Sequence, residues 1–368
     1  MQEERYISKN SCYDNFLNVL KTEATRVVYV HNLRKLLAFS KLRDYESLMS
    51  IPDQDKFNLV RDYLDHRRNK EKVSYSTINT SLAAIKLFYE VNDVTLPWKH
   101  LAKHKGESGK IIHDRLYTDE EISKMLEHAD LRMRVVILAL LTTGMRVGSL
   151  ATLKMGDVEY IPDYHIYKFK VYSNTLRHSY ITFCTPECAI EIDKYTEYRK
   201  EEGERITKDS PFIKGKSNGL FPGHTEQLSS NVLQKAVRRL QHKAKITEPV
   251  KLGMPTGGSR FRHEVMNCHA FRKIFNTKCI DNDVKFQAKE MFMGHKSNLG
   301  LDNSYWHPTE ANLLQEYAKV IDSLTINEEN KLKTENALLK RDKERTDKMM
   351  IEILEKFEKW ETDQRNMK

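Results

Sequence analysis

The sequence predicts a mainly α-helical protein with one small antiparallel β-sheet, arranged as two folded units and a C-terminal helix. Three observations carry this. Apolar residues recur at helical spacing along most of the chain. One short stretch, YHIYKFKVY, alternates instead, as a half-buried strand does. Between two helical regions lies LPWKHLAKHKGESGKIIHDR, with a proline, two glycines and many cations, a composition typical of an interdomain linker. With 368 residues, 39% apolar and 31% charged, the chain is long enough for two domains and has a globular balance.

The elements follow in order. In the first unit, residues 1–97, Tyr29, Leu33, Leu36 and Leu37 mark one helix. Ile78, Leu82, Ile85 and Tyr89 mark another, after Ser74, Ser76 and Thr77, which suit an N-cap. The linker, 98–116, carries Lys99, Lys103, Lys105 and Lys110. Those charges suit a phosphate backbone, and the composition suits a plain solvated linker equally well. The second unit, 117–324, opens with Thr118 capping a helix over DEEISKML, whose acids sit where the helix dipole favours them. Val135 to Leu141 is apolar all round, hence a central buried helix, and Gly144 ends it. A shorter helix shows Val147, Leu150 and Leu153 on one face.

In the alternating stretch Tyr167, Phe169 and Val171 face one side and Lys168 and Lys170 the other. SYITF forms a second strand after the polar turn at Ser173 to Thr175. Pro186 starts a helix that runs to about Arg199. Leu233, Ala236, Val237 and Leu240 mark the next, with Lys235, Arg238, Arg239, His242 and Lys243 on its other face. Residues 252–262, rich in glycine and holding Pro255, read as a loop, and two short helices follow. From Thr309 a continuous helix carries the stripe Leu313, Tyr317, Val320, Ile321 and Leu324. Residues 325–368 contain no Pro or Gly and a loose seam that includes Leu332, Ile353 and Trp360, which fits a coiled coil or a solvated single helix.

Composition bounds the function. No apolar run approaches the length of a membrane span, the longest being Val135 to Leu141, so no membrane partner is expected. MQEERYISKN has no apolar h-region, so no secretory signal is expected. Five scattered cysteines point to reduced thiols in a cytoplasm. There is no Walker motif and no cluster at metal-ligand spacing. The formal net charge of +9 leans toward a polyanion, although a basic protein can bind nothing.

Three places hold candidate chemistry. In TTGMRVGSL, Arg146 follows the glycine that ends the buried helix. In HAFRKIF, Phe271, Ile274 and Phe275 form an apolar face, and His269 and Arg272, three apart, project together from the opposite one. In MGHKSNLGLDNSYWHP, His295 follows Gly294 and Tyr305 lies ten residues on. Each alone is weak: such arginines cap turns, and a lone tyrosine is usually packed.

Together, their order and spacing resemble the tyrosine recombinase (phage integrase-like) family. Its catalytic domain has an arginine in a T-G-x-R turn, a His-x-x-Arg, a Gly-His and then a tyrosine, matched here by Arg146, His269, Arg272, His295 and Tyr305. The resemblance spans about 117–324, and the helical first unit is similar in kind to the family's core-binding domain. HAFRKIFNT and SYWHPTEANLL look most like archaeal integrases.

The resemblance implies site-specific recombination of double-stranded DNA through a 3′-phosphotyrosine, with no ATP, metal or other cofactor, in a homo-tetramer on two sites. The residue types fit that chemistry. A tyrosine with an ordinary pKa of about 10 is a weak nucleophile, so the phosphorus must be made electrophilic. Two arginines offer forked donors to the non-bridging oxygens, and two histidines can move protons. The family's hairpin lysine, which protonates the leaving 5′ oxygen, has as its candidate Lys170, since the turn VYSNTLRHSY offers only Arg177, a poor acid. DNA contacts are expected at Lys99, Lys103, Lys105, Lys110, Arg177, Arg238 and Arg239.

Three departures stand out. Ser149 occupies the place where the family commonly has an acid, the hairpin turn lacks its lysine, and the loop from His295 to Tyr305 is about one residue longer than the family's, which implies a bulge. If that loop falls short, Tyr317 is the nearest fallback, although it lies on an apolar stripe. The alternatives are a type IB topoisomerase, which tends to carry lysine at the place of His269, and a non-catalytic DNA-binding protein on a recombinase scaffold. The stripe from Leu313 to Leu324 is expected to contact a neighbouring protomer.

Overall fold

The computed structural model describes residues 11–107, 115–173, 179–215, 227–246, 250–253, 259–262, 264–295 and 308–327, and single positions of the tail at 329, 332, 346, 347, 350 and 351. The chain forms two compact units, one of residues 1–113 with 249–262, the other of 114–248 with 263–368.

The first unit is built from α1 (Cys12–Asn18), α2 (Glu23–Ser40), α3 (Tyr45–Ser50), α4 (Asp53–Asn69), α5 (Tyr75–Glu90) and α6 (Trp98–Leu101). Ser74 caps α5 as expected, accepting from the Thr77 N–H, and Ser11, Thr22 and Asp44 cap α1, α2 and α3 in the same way. Leu33, Leu36, Ile78, Leu82, Ile85 and Tyr89 meet Phe16, Val60 and Phe88 in one core. A polar tie joins α2 to α5 inside it: Ser81 Oγ donates to Asn32 Oδ1 at 2.6 Å, and Asn32 donates to the Val28 carbonyl at 2.8 Å. The stretch expected to be linker begins inside folded structure. α6 and a 3₁₀ turn, Ala102–Lys105, continue the unit because Leu101 is fully buried in its core. Residues 252–262, expected as a loop, contain most of a hairpin: β4 (Val250–Gly253) pairs antiparallel with β5 (Ser259–Arg262).

The second unit wraps around α8 (Leu131–Thr143), which is buried from Val135 through Thr143. α7 (Asp119–Glu127) precedes it, held at its start by a capping box between Thr118 and Glu121. α9 (Val147–Thr152) follows. The sheet has three strands in the order β1 (Val158–Ile161), β2 (Ile166–Val171), β3 (Tyr180–Phe183), all antiparallel, with Val158 opposite Phe169 and Lys168 opposite Phe183. β2 and β3 are the expected pair, and β1 adds an edge that was not foreseen. Pro186 opens α10 (Pro186–Glu201), and α11 (Ser230–Lys243) and α12 (Asn267–Asp281) complete the shell. A second core cluster joins Ile166, Phe183, Phe275 and Phe292 of α13 (Phe286–Phe292) to the C-terminal helices.

The C-terminal stripe corrects two expectations. The helix from Thr309 is not continuous: α14 (Glu310–Ala318) and α15 (Ile321–Leu324) are separate. Leu313, Tyr317, Val320, Ile321 and Leu324 are all at most 2% exposed within this chain's own core, so the stripe packs in cis rather than on a neighbour. Beyond it, Glu187 on α10 accepts from the N–H groups of Ile326 and Asn327 at 2.8 and 3.1 Å and so fixes the root of the tail. Most of 328–368 lies outside the described residues. The five cysteines are free, and no helix among the described residues is long and apolar enough to cross a membrane.

Candidate active site

The turn after α8 organises the site. Gly144 has φ +63°, and a Cβ there would lie 2.3 Å from Phe275 Cδ1, so the turn needs glycine and presses against α12. Arg146 then takes the N-cap position of α9 in extended backbone, with its side chain exposed. The Phe275 contact also brings α12 close enough for Arg272, one turn earlier, to reach the Gly144 carbonyl with Nη1 at 2.5 Å.

Arg272 was expected on the polar face of α12 but is only 3% exposed. Its long side chain turns inward because three acceptors await it there. Besides the Gly144 carbonyl, Nη2 donates to the Met293 carbonyl at 2.7 Å and meets His295 Nε2 at 2.6 Å. Burial first, then the charge of Arg146, push this guanidinium down to about 10. It therefore stays charged at neutral pH. His269 lies on the same helix, exposed.

His295 is aimed by a second glycine. Gly294 has φ +59°, and a Cβ there would lie 2.3 Å from Tyr180 Cε1. Its other ring nitrogen, Nδ1, is 2.8 Å from Glu290 Oε2. Glu290, on α13, is a site contact that sequence spacing did not flag. The place of the family's acid, Ser149, is buried, and its hydroxyl donates to Tyr172 Oη at 2.8 Å. The Tyr172 ring meets Tyr180 edge-on at 6.2 Å. Tyr180 Oη is buried beside Ser149, and burial pushes its phenol up.

The remaining candidates divide. Tyr305, Lys110 and Arg177 lie outside the described residues. Tyr317 is buried and donates to the Thr142 carbonyl at 2.8 Å, and burial pushes its phenol well above the ordinary value, so it is a core residue. Lys170 is exposed on β2, 3.1 Å from Glu159. Lys168, expected on the solvent side with it, is buried instead, its Nζ 2.9 Å from Glu159 and 2.8 Å from Glu310. Two carboxylates make that burial tolerable. Lys99, Lys103 and Arg239 are exposed. Lys105 donates to Asn79 at 2.9 Å and lies over the Tyr75 ring. Arg238 departs from the open basic face of α11: it is half-buried, its Nη1 has no hydrogen-bond partner among the described residues, and burial lowers its pKa.

Comparison with known proteins bears on the family and the fold. The sequence pattern described as "Phage integrase family" matches residues 115–312, and that of "Phage integrase, N-terminal SAM-like domain" matches 15–93. No curated protein matches. Among solved structures, the Tn1549 transposon integrase in complex with transposon right end DNA is 18% identical, with 84% of this chain and 98% of that one covered and a TM-score of 0.55. A lambda integrase dimer bound to a COC′ core site is 16% identical, covering 81% and 78%, with a TM-score of 0.52. A lambda integrase tetramer bound to a Holliday junction is 16% identical, covering 82% and 80%, also at 0.52. At such identities these structures speak for the fold alone. The match over 115–312 takes in more than half of the 368 residues, and the chain therefore belongs to the phage integrase family, the tyrosine recombinases that break and rejoin DNA at specific sites.

Proposed function

We propose that this chain is the integrase of a mobile element and that Tyr305 is its nucleophile. Its oxygen attacks the scissile phosphorus, the bond to the 5′ oxygen breaks, and a 3′-phosphotyrosine holds the strand until a 5′ hydroxyl attacks and releases the enzyme. Arg146 and Arg272 bind the non-bridging oxygens, where charge builds in the transition state. His269 and His295 flank the phosphate as donors or proton carriers. Lys170 is the candidate acid for the 5′ oxygen, supported by its exposure on the strand that leads into the hairpin. The observation that carries the reading is the cluster itself: Arg272 and His295 hydrogen-bonded to each other, with the charge of Arg146 close enough to act on Arg272.

Double-stranded DNA is the partner, held by the helical unit (1–97), the basic stretch (98–116) and the catalytic unit (117–324), and strand exchange runs in a tetramer on two sites. Lys99, Lys103, Lys105, Lys110, Arg177, Arg238 and Arg239 are the proposed backbone contacts, and binding should fall steeply with salt. The motifs HAFRKIFNT and SYWHPTEANLL support a finer reading, in which the chain is an integrase of archaeal type.

A nicked suicide substrate tests the reading. The wild-type chain traps a covalent protein–DNA adduct, and Tyr305→Phe does not. An adduct with Tyr305→Phe refutes the nucleophile. Relaxation of supercoiled DNA with no site preference would instead favour a type IB topoisomerase.

A further inference from the structure

We propose that Glu290 is a positioning residue that holds His295 in one tautomer and, through it, aims Arg272. The inference rests on the reading of Arg272 and His295 as site residues. It begins with the end of α13. The Gly294 N–H donates to the Met291 carbonyl at 2.9 Å and the His295 N–H to the Glu290 carbonyl at 3.0 Å. With Gly294 at positive φ, these two bonds form a Schellman turn, which brings the side chains at its first and last positions together. An apolar contact usually fills that place. Here it is filled by a carboxylate and an imidazole.

The hydrogen positions follow from donor and acceptor chemistry. Arg272 Nη2 has only donors, so His295 Nε2, 2.6 Å away, must offer a lone pair. The ring proton then sits on Nδ1, which points at Glu290 Oε2 at 2.8 Å, an oxygen that can accept. Lys289 Nζ lies 3.4 Å from the other carboxylate oxygen. A carboxylate therefore excludes the opposite tautomer, in which Nε2–H would face the Arg272 N–H. Among the described residues, Glu290 is the carboxylate hydrogen-bonded to this cluster, while Ser149 is bonded to Tyr172.

Glu290→Gln and Glu290→Ala test the idea in the full-length chain. A glutamine can turn its NH₂ toward Nδ1 and an alanine offers it no acceptor, so in both variants the ring is free to turn away from Arg272 and take the other tautomer. The tautomer is read from two-bond ¹H–¹⁵N correlations of histidine-labelled protein, with His295 assigned by its loss in His295→Ala. Adduct formation on the suicide substrate is measured beside DNA affinity. We expect the Nδ1–H form to lose dominance and adduct formation to slow by ~10–100-fold, as when a supporting hydrogen bond to a site histidine is lost, with affinity unchanged. Wild-type adduct rates in both variants overturn the proposal. So does a slowed rate with the Nδ1–H tautomer intact in both. Failure of the underlying reading would show separately, as adduct formation by Tyr305→Phe.

Discussion

Gly144→Ala perturbs the turn on which the site is built. The residue sits at φ +63°, where a Cβ-bearing residue loses about 1–2 kcal/mol. The new Cβ would also fall 2.3 Å from Phe275 Cδ1 and 2.7 Å from its Cγ. Phe275 is fully buried in the second core cluster, so its ring cannot swing into solvent. Overpacking of that kind costs about 1–3 kcal/mol. The sum, about 2–5 kcal/mol, should lower the melting temperature of the second unit by roughly 5–15 °C. The Gly144 carbonyl accepts from Arg272, so adduct formation should slow even at a temperature where the variant is folded. Gly148→Ala is the control. Its Cβ meets nothing within 4 Å and it lies inside α9, so it should gain about 0.5–1 kcal/mol. Thermal melting of the two variants decides the matter. If Gly144→Ala melts with the wild type, the strain argument is wrong and the glycine is incidental.

Two further outcomes follow from the charged interior. Lys168 is 5% exposed at its side chain, but its partners Glu159 and Glu310 are 53% and 46% exposed and can rehydrate. Lys168→Met should therefore be tolerated better than Glu159→Gln with Glu310→Gln, which strands a buried cation at about 3–5 kcal/mol; the reverse order of melting temperatures would contradict this. Burial raises the Glu204 carboxyl, yet hydrogen bonds from Arg199 and Lys214 outweigh it and hold the group below the usual carboxylate range. A depressed folded pKa contributes stability above the unfolded value of about 4.3 that is lost as pH falls through the folded one, so Glu204→Gln should be destabilising near pH 7 and much less so near pH 3. Melting at both pH values checks it, and a gap that does not shrink would refute the assignment.

Local signals were legible in the sequence where backbone chemistry alone decides the outcome. Ser74, Thr118 and Pro186 start helices because caps and proline act within one turn, and Gly144 ends α8 because its φ suits glycine. β1 escaped notice because four residues, VEYI, give too short an alternation. The β4–β5 hairpin was hidden by the Gly and Pro residues of its connection. The break between α14 and α15 leaves no Gly or Pro, and the apolar stripe runs through it unbroken. The candidate site was legible as motifs but not as geometry. Helical spacing assigns Arg272 to a face by its Cα, while its side chain is long enough to turn back to the carbonyls of Gly144 and Met293. Glu290 carries meaning only through the turn at Gly294, which joins it to His295.

That inward turn has a consequence for how the site meets DNA. Arg272 is buried on two carbonyls and an imidazole nitrogen, with no carboxylate hydrogen-bonded to it among the described residues. Dipoles orient a cation but do not neutralise it, which is why burial and Arg146 together lower its pKa. At about 10 it still holds its proton near pH 7. The cluster is thus two guanidinium charges held near each other, Arg272 fixed by the core and Arg146 exposed at a helix start, with the Glu290 carboxylate beyond His295 offsetting part of their repulsion. A paired carboxylate would relieve that repulsion and would also compete with substrate. A phosphodiester carries the single negative charge and the two non-bridging oxygens that such a pair of forks accepts. The positive charge that one carboxylate does not offset is thereby available to bind where the transition state gains its own.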